Sequence, residues 1–249
     1  MKRALVLVLF ALIFAGLSAT GQTQSAPRSE PFPRFTLKEG QLDEDGLPTS
    51  GAKLCVLGKP ELCYQMPSET DSGANGVKYE FGLELRAERL TLAGGGSWIF
   101  FSAMFSGGGS GTLTRLAVLR YAGSEGVGRI DNLLPWVGAT NESEWVMWTV
   151  HEASAYPVLV VADFIWGKGE THFDTPHYYA VAAWKFDASA DRYAKAFEYR
   201  TSRRYSGGDS SPIRVLQPER EEVIRKLESK STCGPVGRCD NPEFARGFS

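Results

Sequence analysis

The chain has 249 residues, with 27 lysine and arginine residues against 29 aspartate and glutamate residues and a formal net charge of -2. The hydrophobic fraction of 43% and the charged fraction of 22% are typical of globular proteins. They exclude a disordered chain, a collagen-like chain and a protein with several membrane spans. The slightly acidic charge balance argues against a nucleic-acid partner, and the length allows one large β domain or two small domains.

The first 21 residues have the arrangement of a secretory signal peptide. The chain begins Met-Lys-Arg, residues 4–17 carry no polar side chain, and small residues follow at 18–21. A basic start, a short apolar stretch and a peptidase site stand in this order in such peptides. Because the apolar stretch is too short to span a bilayer comfortably, we expect cleavage between Ala19 and Ala26. The sequence predicts a secreted or periplasmic protein with no membrane span in the mature chain.

Residues 22–33 are rich in Pro, Ser, Gln and Thr and predict a mobile leader. Residues 34–216 alternate short apolar runs with clusters of Gly, Asp, Asn and Ser, which is typical of strands and turns. The connections are too short for crossover helices, so the strands should pair antiparallel. The predicted strands are Ala52–Leu57, Leu62–Met66, Val77–Leu92, Trp98–Phe105, Thr112–Tyr121, Glu144–His151, Pro157–Trp166, Tyr178–Asp187 and Arg192–Arg203.

One amphipathic helix is predicted over residues 217–231, followed by a tail over 232–249. Pro218 stands in the first turn, acidic residues follow it, and basic residues stand towards the end, which suits the helix dipole. The sequence therefore predicts a mainly β fold with one C-terminal helix. The β part is an antiparallel meander, either propeller-like or a sandwich.

Two strands carry informative alternation. Residues 158–162 have no polar position, which predicts a central strand that is covered on both faces. In the strand that starts at Arg192, the aromatic residues Tyr193, Phe197 and Tyr199 share one parity. This pattern predicts a half-exposed outer strand.

A faint internal repeat joins two hairpins. Ile99–Phe105 and Val158–Phe164 have similar apolar patterns, and each is followed by glycines and then by a second apolar strand. The basic–aromatic pairs at 120–121 and 185–186 extend the match. The second copy has six extra residues in its loop, since the offset grows from 59 (103 to 162) to 65 (121 to 186).

Four cysteines form two local pairs, one near each end of the predicted mature chain. In an oxidising compartment disulfides are the default. We favour Cys55–Cys63 and Cys233–Cys239, whereas crossed bridges would tie the C-terminal tail to the N-terminal strands. Zinc is disfavoured because neither pair has the two-residue spacing of a zinc knuckle and no histidine lies near either pair.

The loop of the second hairpin gathers two of the three histidines and three carboxylates within fifteen positions. Imidazole and carboxylate are ligands that Zn²⁺, Mn²⁺ or Fe²⁺ accept, but polar side chains are also common in solvated glycine-rich loops. The candidate ligand-binding residues are Asp163, Trp166, Glu170, His172, Asp174 and His177. The candidate ligands for a divalent metal are Glu170, His172, Asp174 and His177.

Five of the six tryptophans lie between residues 136 and 184, and exposed indoles of secreted β proteins can stack on sugar rings. Our leading hypothesis is an exported binding or interaction module that uses the 163–177 loop and nearby aromatic residues to bind a protein or a carbohydrate. The first alternative is a metal-dependent hydrolase with ligands in the same loop. The second is a structural component of the cell envelope. The sequence identifies no catalytic residue and no family.

Overall fold

The computed structural model describes residues 32–70, 76, 78–106, 112–124, 127–140, 143–150, 154–170, 176–206 and 213–231. The predicted signal peptide, most of the predicted leader and the predicted cysteine-containing tail lie outside these residues. Of the predicted site residues, His172 and Asp174 also lie outside them.

The described part of the chain forms fourteen strands and one helix. Each of the nine predicted strands overlaps at least one of them, and the helix was predicted to within one residue. The elements are β1 Phe35–Lys38, β2 Lys53–Val56, β3 Lys59–Gln65, β4 Glu69–Thr70, β5 Lys78–Tyr79, β6 Leu83–Thr91, β7 Ser97–Ser106, β8 Thr112–Ser124, β9 Val127–Asn132, β10 Val137–Thr140, β11 Glu144–Trp148, β12 Val158–Ile165, β13 Tyr178–Asp187, β14 Arg192–Arg200 and α1 Leu216–Ser231.

Every pair of neighbouring strands is antiparallel, as predicted. An N-terminal sheet has the order β1-β2-β3, and a C-terminal sheet has the order β11-β12-β13-β14. The central sheet has β6, β7 and β8, with β10 and β9 following one another along the free side of β8. Strands β4 and β5 form a short ribbon. No sheet built from the described strands closes into a barrel.

The three large sheets and the helix stack in layers. Neighbouring side chains of a strand point to opposite faces, so an inner strand contributes to the core on each side of its sheet. In β7, Phe101 packs in the core against the N-terminal sheet and Phe100 in the core against the C-terminal sheet. In β12, Leu159 faces the central sheet and Val160 faces α1. All four side chains are at most 3% exposed, so β7 and β12 are central strands covered on both faces, as the apolar run at 158–162 predicted.

The outer strand β14 differs from its predicted pattern. It lies at the edge of its sheet, as expected, but a bulge shifts its register between Ala183 and Trp184 of the neighbouring strand. A one-residue shift moves side chains to the other face. Tyr193 therefore packs between the central and C-terminal sheets, whereas Phe197 and Tyr199 pack on the helix side. The prediction that these three aromatic residues share a face is wrong for Tyr193.

The repeated hairpins β7–β8 and β12–β13 also differ in register from the prediction. The strand partners of Ala103 and Ala162 are Arg115 and Val181. The offset between the two hairpins is therefore 59 residues in the first strand (103 to 162) and 66 residues in the second strand (115 to 181). The second value is one more than the 65 residues that the basic–aromatic pairs predicted. As a result, Tyr121 lies beside Phe35 of the N-terminal sheet, with ring centroids 6.4 Å apart, whereas Phe186 packs against the central sheet.

The helix α1 covers the outer face of the C-terminal sheet with Val223 and Leu227, which are 0% and 2% exposed. Its start is fixed by Glu144 of β11. The carboxylate accepts hydrogen bonds from the backbone N–H groups of Val215 at 2.9 Å and Leu216 at 3.0 Å. Burial raises the pKa of Glu144, although these N–H groups and Arg214 act in the opposite direction. No helix in the described residues is long and apolar enough to cross a membrane.

A second buried carboxylate anchors the first turn of α1 to the sheet. Glu219 is 8% exposed and accepts hydrogen bonds from the hydroxyls of Tyr199 at 2.8 Å and Tyr205 at 2.5 Å. Burial, together with the hydrogen bond to Glu219, raises the pKa of Tyr205 to about 12. The guanidinium of Arg203 donates to the same hydroxyl at 2.9 Å. The segment that follows β14 is thereby tied to the helix.

The cysteine pair of the N-terminal sheet is bonded as predicted. Cys55 and Cys63 lie directly opposite one another on β2 and β3, and their sulfur atoms are 2.04 Å apart. The local pairing therefore holds for these two residues. Cys233 and Cys239 lie outside the described residues, so their pairing stays a prediction.

Candidate functional site

The loop between β12 and β13 does not gather its predicted residues at one place. Asp163 pairs with Ala180 and Phe164 pairs with Tyr179 across the two strands. Phe164 and Tyr179 pack on the helix side of the sheet, so Asp163 points to the other side, towards the central sheet. His177 lies two residues before Tyr179 and shares the helix side. The structure thus separates Asp163 from His177 by the thickness of the sheet.

On the helix side, the structure brings together two predicted residues, Glu170 and His177. We use the name Glu170 cluster for Gly167, Glu170, His177 and Arg204. The Nδ1 atom of His177 lies 2.9 Å from Oε2 of Glu170, which also accepts a hydrogen bond from the N–H of Gly167 at 2.7 Å. Arg204 donates to Oε1 of Glu170 at 2.6 Å. Both carboxylate oxygens are therefore occupied by donors.

The cluster depends on tight local packing. A Cβ atom at position 167 would lie 2.5 Å from the Glu170 carboxylate, so a larger residue there would displace this side chain. Arg204 also donates to the carbonyl of Pro176 at 3.2 Å, and His177 and Tyr205 exchange backbone hydrogen bonds at 2.9 and 2.8 Å. The segment after β14 thus holds both ends of the described loop.

The charge of Glu170 is stabilised by its surroundings. The hydrogen bond from His177, the N–H of Gly167 and the nearby Arg204 guanidinium hold the pKa of Glu170 below its usual value of 4.5. Because an ionised carboxylate only accepts hydrogen bonds, Nδ1 of His177 carries the proton. The other ring nitrogen, Nε2, is the acceptor in the neutral imidazole.

The Nε2 atom of His177 is buried and has no hydrogen-bond partner among the described residues. The imidazole is 0% exposed and lies against the rings of Phe164 and Trp166, at centroid distances of 5.5 and 5.6 Å. Trp166 is 52% exposed, so it covers the histidine with one side and meets solvent with the other. A buried unpaired nitrogen is uncommon and is often found at sites with a chemical role.

The described residues contain no group of three or more His, Cys, Asp or Glu side chains that could hold a metal ion. Within the Glu170 cluster, Nε2 of His177 has no hydrogen-bond partner among the described residues, whereas both oxygens of Glu170 already accept hydrogen bonds. Glu170 is consequently placed to orient the imidazole rather than to bind an ion directly. This is the arrangement in which a carboxylate supports a metal-binding histidine from behind.

On the opposite side of the sheet, Asp163 lines a cleft of about 350 Å³. This volume is within the range of small-molecule sites. Oδ1 of Asp163 accepts hydrogen bonds from the hydroxyls of Thr140, at 2.9 Å, and Ser143. Both of these bonds go to Oδ1, and Oδ2 accepts no hydrogen bond from the described residues. We call this space the Trp136 cleft; its main side chains are Glu69, Tyr79, Phe81, Trp136, Thr140 and Asp163.

Trp136 is the most exposed aromatic residue of the cleft. It is 54% exposed and lies in the bend between β9 and β10, directly after Pro135. A Cβ atom at Gly138 would lie 2.7 Å from Cη2 of Trp136, so the indole rests on the bare backbone of this glycine. Phe81, at 1% exposure, belongs to the packed core that forms one wall. The cleft therefore combines an exposed aromatic ring with a rigid apolar wall and a fixed carboxylate.

Sequence reasoning missed most of this cleft. Trp136 was counted among the clustered tryptophans, but neither Tyr79 nor Glu69 was singled out. These two residues lie on β4 and β5, far from residue 163 in sequence, and no local pattern connects them. Trp145 and Trp148 both pack against core clusters, on the two faces of their sheet. Arg204, which completes the Glu170 cluster, was also missed.

Comparison with known proteins finds no matching family model, no similar curated protein and no solved structure of similar fold. The geometry of the two sites is therefore the basis for assigning a function.

Proposed function

We propose that this protein is a binding module that takes a small ligand in the Trp136 cleft. The observation that carries the proposal is the half-exposed indole of Trp136, seated on Gly138 beside the fixed carboxylate of Asp163. An apolar surface with a few placed polar groups is the usual composition of a small-molecule site. Of the four described residues among those predicted from the loop, Asp163 is the one that lines this cleft.

A panel of oligosaccharides, short peptides and small amines tests this proposal by its effect on the melting temperature. A ligand that binds the folded protein raises this temperature. We expect at least one compound to stabilise the wild type but not Trp136→Ala. Trp166→Ala is the matched control, because Trp166 has a similar exposure of 52% and lies outside the cleft lining.

Two results would count against the cleft. If no compound shifts the melting temperature, the protein behaves as a structural component, as the second alternative expects. If the shift is lost in Trp166→Ala and kept in Trp136→Ala, the ligand binds at the loop on the helix side instead.

The unpaired Nε2 atom of His177 favours a second candidate, the metal-dependent hydrolase. In this proposal His177 binds a divalent ion through Nε2, Glu170 orients the imidazole, and His172 and Asp174 are the further candidate ligands. Metal analysis of the purified protein tests it. Stoichiometric metal that is lost in a His172→Ala, His177→Ala double variant would support the hydrolase. Absence of metal together with an unchanged melting temperature in chelator would reject it.

We also propose that the protein works outside the cytoplasm. The bonded Cys55–Cys63 pair supports this, because structural disulfides persist in oxidising compartments. Intact-mass measurement of the exported protein tests it, with an expected mature N-terminus between Ala19 and Ala26. A full-length product retained in the cytoplasm would contradict it.

A further inference from the structure

Asp163 differs from the other partly buried carboxylates of the C-terminal sheet in having no cationic partner. Glu170 has Arg204 at 2.6 Å, and Glu144 has Arg214 at 3.5 Å. No lysine, arginine or histidine among the described residues lies within ion-pairing distance of Asp163. Its partners are two neutral hydroxyls, which both approach Oδ1. The carboxylate is thus oriented by its neighbours while its charge remains uncompensated.

The rest of the cleft does not supply the missing positive charge. Among the described residues, its lining contains no lysine, arginine or histidine, and the one further charged side chain is a second carboxylate, Glu69. The charge of Glu69 acts on Arg115, whose guanidinium is held by the carbonyl of Pro67 at 3.1 Å. An anionic ligand would meet repulsion on this surface. A neutral ligand that displaced water from Asp163 would leave a carboxylate without compensation, which is costly.

The aromatic rings of the cleft attract the same kind of ligand. The faces of tryptophan and tyrosine rings carry negative partial charge and bind ammonium groups, most strongly where water is excluded. Trp136 and Tyr79 both line the cleft that Asp163 lines. Tyr79 is supported from the side by Phe105, with ring centroids 5.0 Å apart. The cleft is therefore lined by two electron-rich rings and one carboxylate that has no cationic partner among the described residues.

We infer that the ligand of the Trp136 cleft carries an alkylammonium group, which pairs with Asp163 and contacts the rings of Trp136 and Tyr79. The group belongs either to a free amine or to a lysine side chain. This inference rests on the proposed binding function and adds the chemical class of the ligand. It predicts that the charge of Asp163 contributes to binding as strongly as the indole of Trp136.

Calorimetric titration of the full mature protein tests the inference. The probes are n-butylammonium chloride, tetramethylammonium chloride and a blocked alanine peptide with one central lysine. Sodium chloride at equal ionic strength, the same peptide with glutamine in place of lysine, and cellotetraose are the matched controls. We expect an ammonium probe to bind the wild type. Tighter binding of the two ammonium salts would identify a free amine as the ligand, and tighter binding of the peptide would identify a lysine side chain.

Two variants decide the mechanism. Asp163→Asn keeps an acceptor for Thr140 and Ser143 but removes the charge, and Trp136→Ala removes the main ring. Each should weaken binding of the ammonium probe about tenfold. Trp136→Phe keeps an aromatic face and should lose less. Because a variant can fail to fold, protection of the Trp136 indole from acrylamide quenching by the probe provides a second measurement in the wild-type protein.

The outcomes separate the inference from the function on which it rests. If cellotetraose binds and its affinity falls in Trp136→Ala but not in Asp163→Asn, the cleft is a binding site for a neutral ligand and the ammonium inference is wrong. If ammonium binding survives Trp136→Ala and fails in Trp166→Ala, both the inference and the cleft are wrong. If no probe of either class binds, both are again rejected.

Discussion

The two faces of the C-terminal sheet differ in the partners that they give to a carboxylate. Glu170 and Asp163 are seven residues apart in the same predicted loop, yet the strand pairing sends them to different faces. On the helix face, Glu170 has a histidine, an arginine and a backbone N–H as partners. On the cleft face, Asp163 has two hydroxyls and no cation. On the helix face, Glu170 and Glu144 have cationic partners, whereas Asp163 on the cleft face has none among the described residues. The proposed ligand site depends on this difference.

The largest effect should come from a helix-face carboxylate. Glu144→Ala leaves the buried N–H groups of Val215 and Leu216 without this acceptor and removes the carboxylate that lies 3.5 Å from Arg214. We expect a loss of about 2–4 kcal/mol in the free energy of unfolding, measured by urea denaturation. Asp163→Asn is the control on the cleft face, with an expected loss below about 1 kcal/mol. Equal losses of unfolding free energy in the two variants would contradict the proposed difference between the two faces.

The pH dependence of stability should follow the Glu170 cluster. The pKa of Glu170 is lowered in the folded protein, so its contribution is full above its usual value of 4.5 and is lost as the pH falls through the lowered pKa. We expect the melting temperature to fall in this acidic range. Glu170→Gln should lower the melting temperature at pH 7 and flatten the acid decline.

The direction of the pKa shift distinguishes Glu170 from Glu144, which lies on the same face. Burial raises the pKa of Glu144, so the contribution of this group is lost as the pH rises instead. Glu198→Gln is a suitable control, because the Glu198 side chain is 50% exposed and pairs only with a surface lysine. An unchanged acid decline in Glu170→Gln would show that other groups cause it.

A smaller effect should separate the two exposed tryptophans. Trp166 covers the buried imidazole of His177, so Trp166→Ala should lower the melting temperature and open this histidine to modification by diethylpyrocarbonate. Trp136→Ala should change the melting temperature less and leave the histidine protected, since Trp136 lines an open cleft. Mass spectrometry of the modified protein measures the difference. Equal protection in both variants would contradict the covering role of Trp166.

The smallest effect on stability is expected at Gly138. The Cβ of Gly138→Ala would meet the indole of Trp136, which is half exposed and can turn away into solvent. We expect a small change in melting temperature but increased acrylamide quenching of tryptophan fluorescence, because the Trp136 indole moves away from the backbone at position 138. Gly94→Ala is the control, since a Cβ there meets no heavy atom within 4 Å. Unchanged quenching would show that the glycine does not position the ring.

Much of the fold could be predicted because it depends on local patterns. Strong apolar runs such as 158–162 and the helix with Pro218 in its first turn match the structure closely. The missed strands β9 and β10 have few large apolar residues, since their sequences are VGRIDN and VGAT. They form because the long strand β8 offers them a free side along which to pair.

The candidate site was harder to predict, for a reason that Asp163 illustrates. Residue types and spacing placed it with Glu170 and His177, and two of these three residues do meet. The third is turned away by the alternation of β12, which a loop-based interpretation overlooks. Arg204 joins the cluster across 34 positions of sequence, and such long-range pairs leave no local pattern.

The sequence by itself determined most of the secondary structure, the antiparallel class of the sheets and the local disulfide, because each depends largely on residues that are close along the chain. Tertiary structure alone decided which face each side chain occupies. The bulge beside Trp184 and the turn lengths shift the strand register, and each shift by one residue exchanges the faces. It also built the Trp136 cleft, because the side chains at 79, 136 and 163 come from three distant segments that meet only when the strands stack.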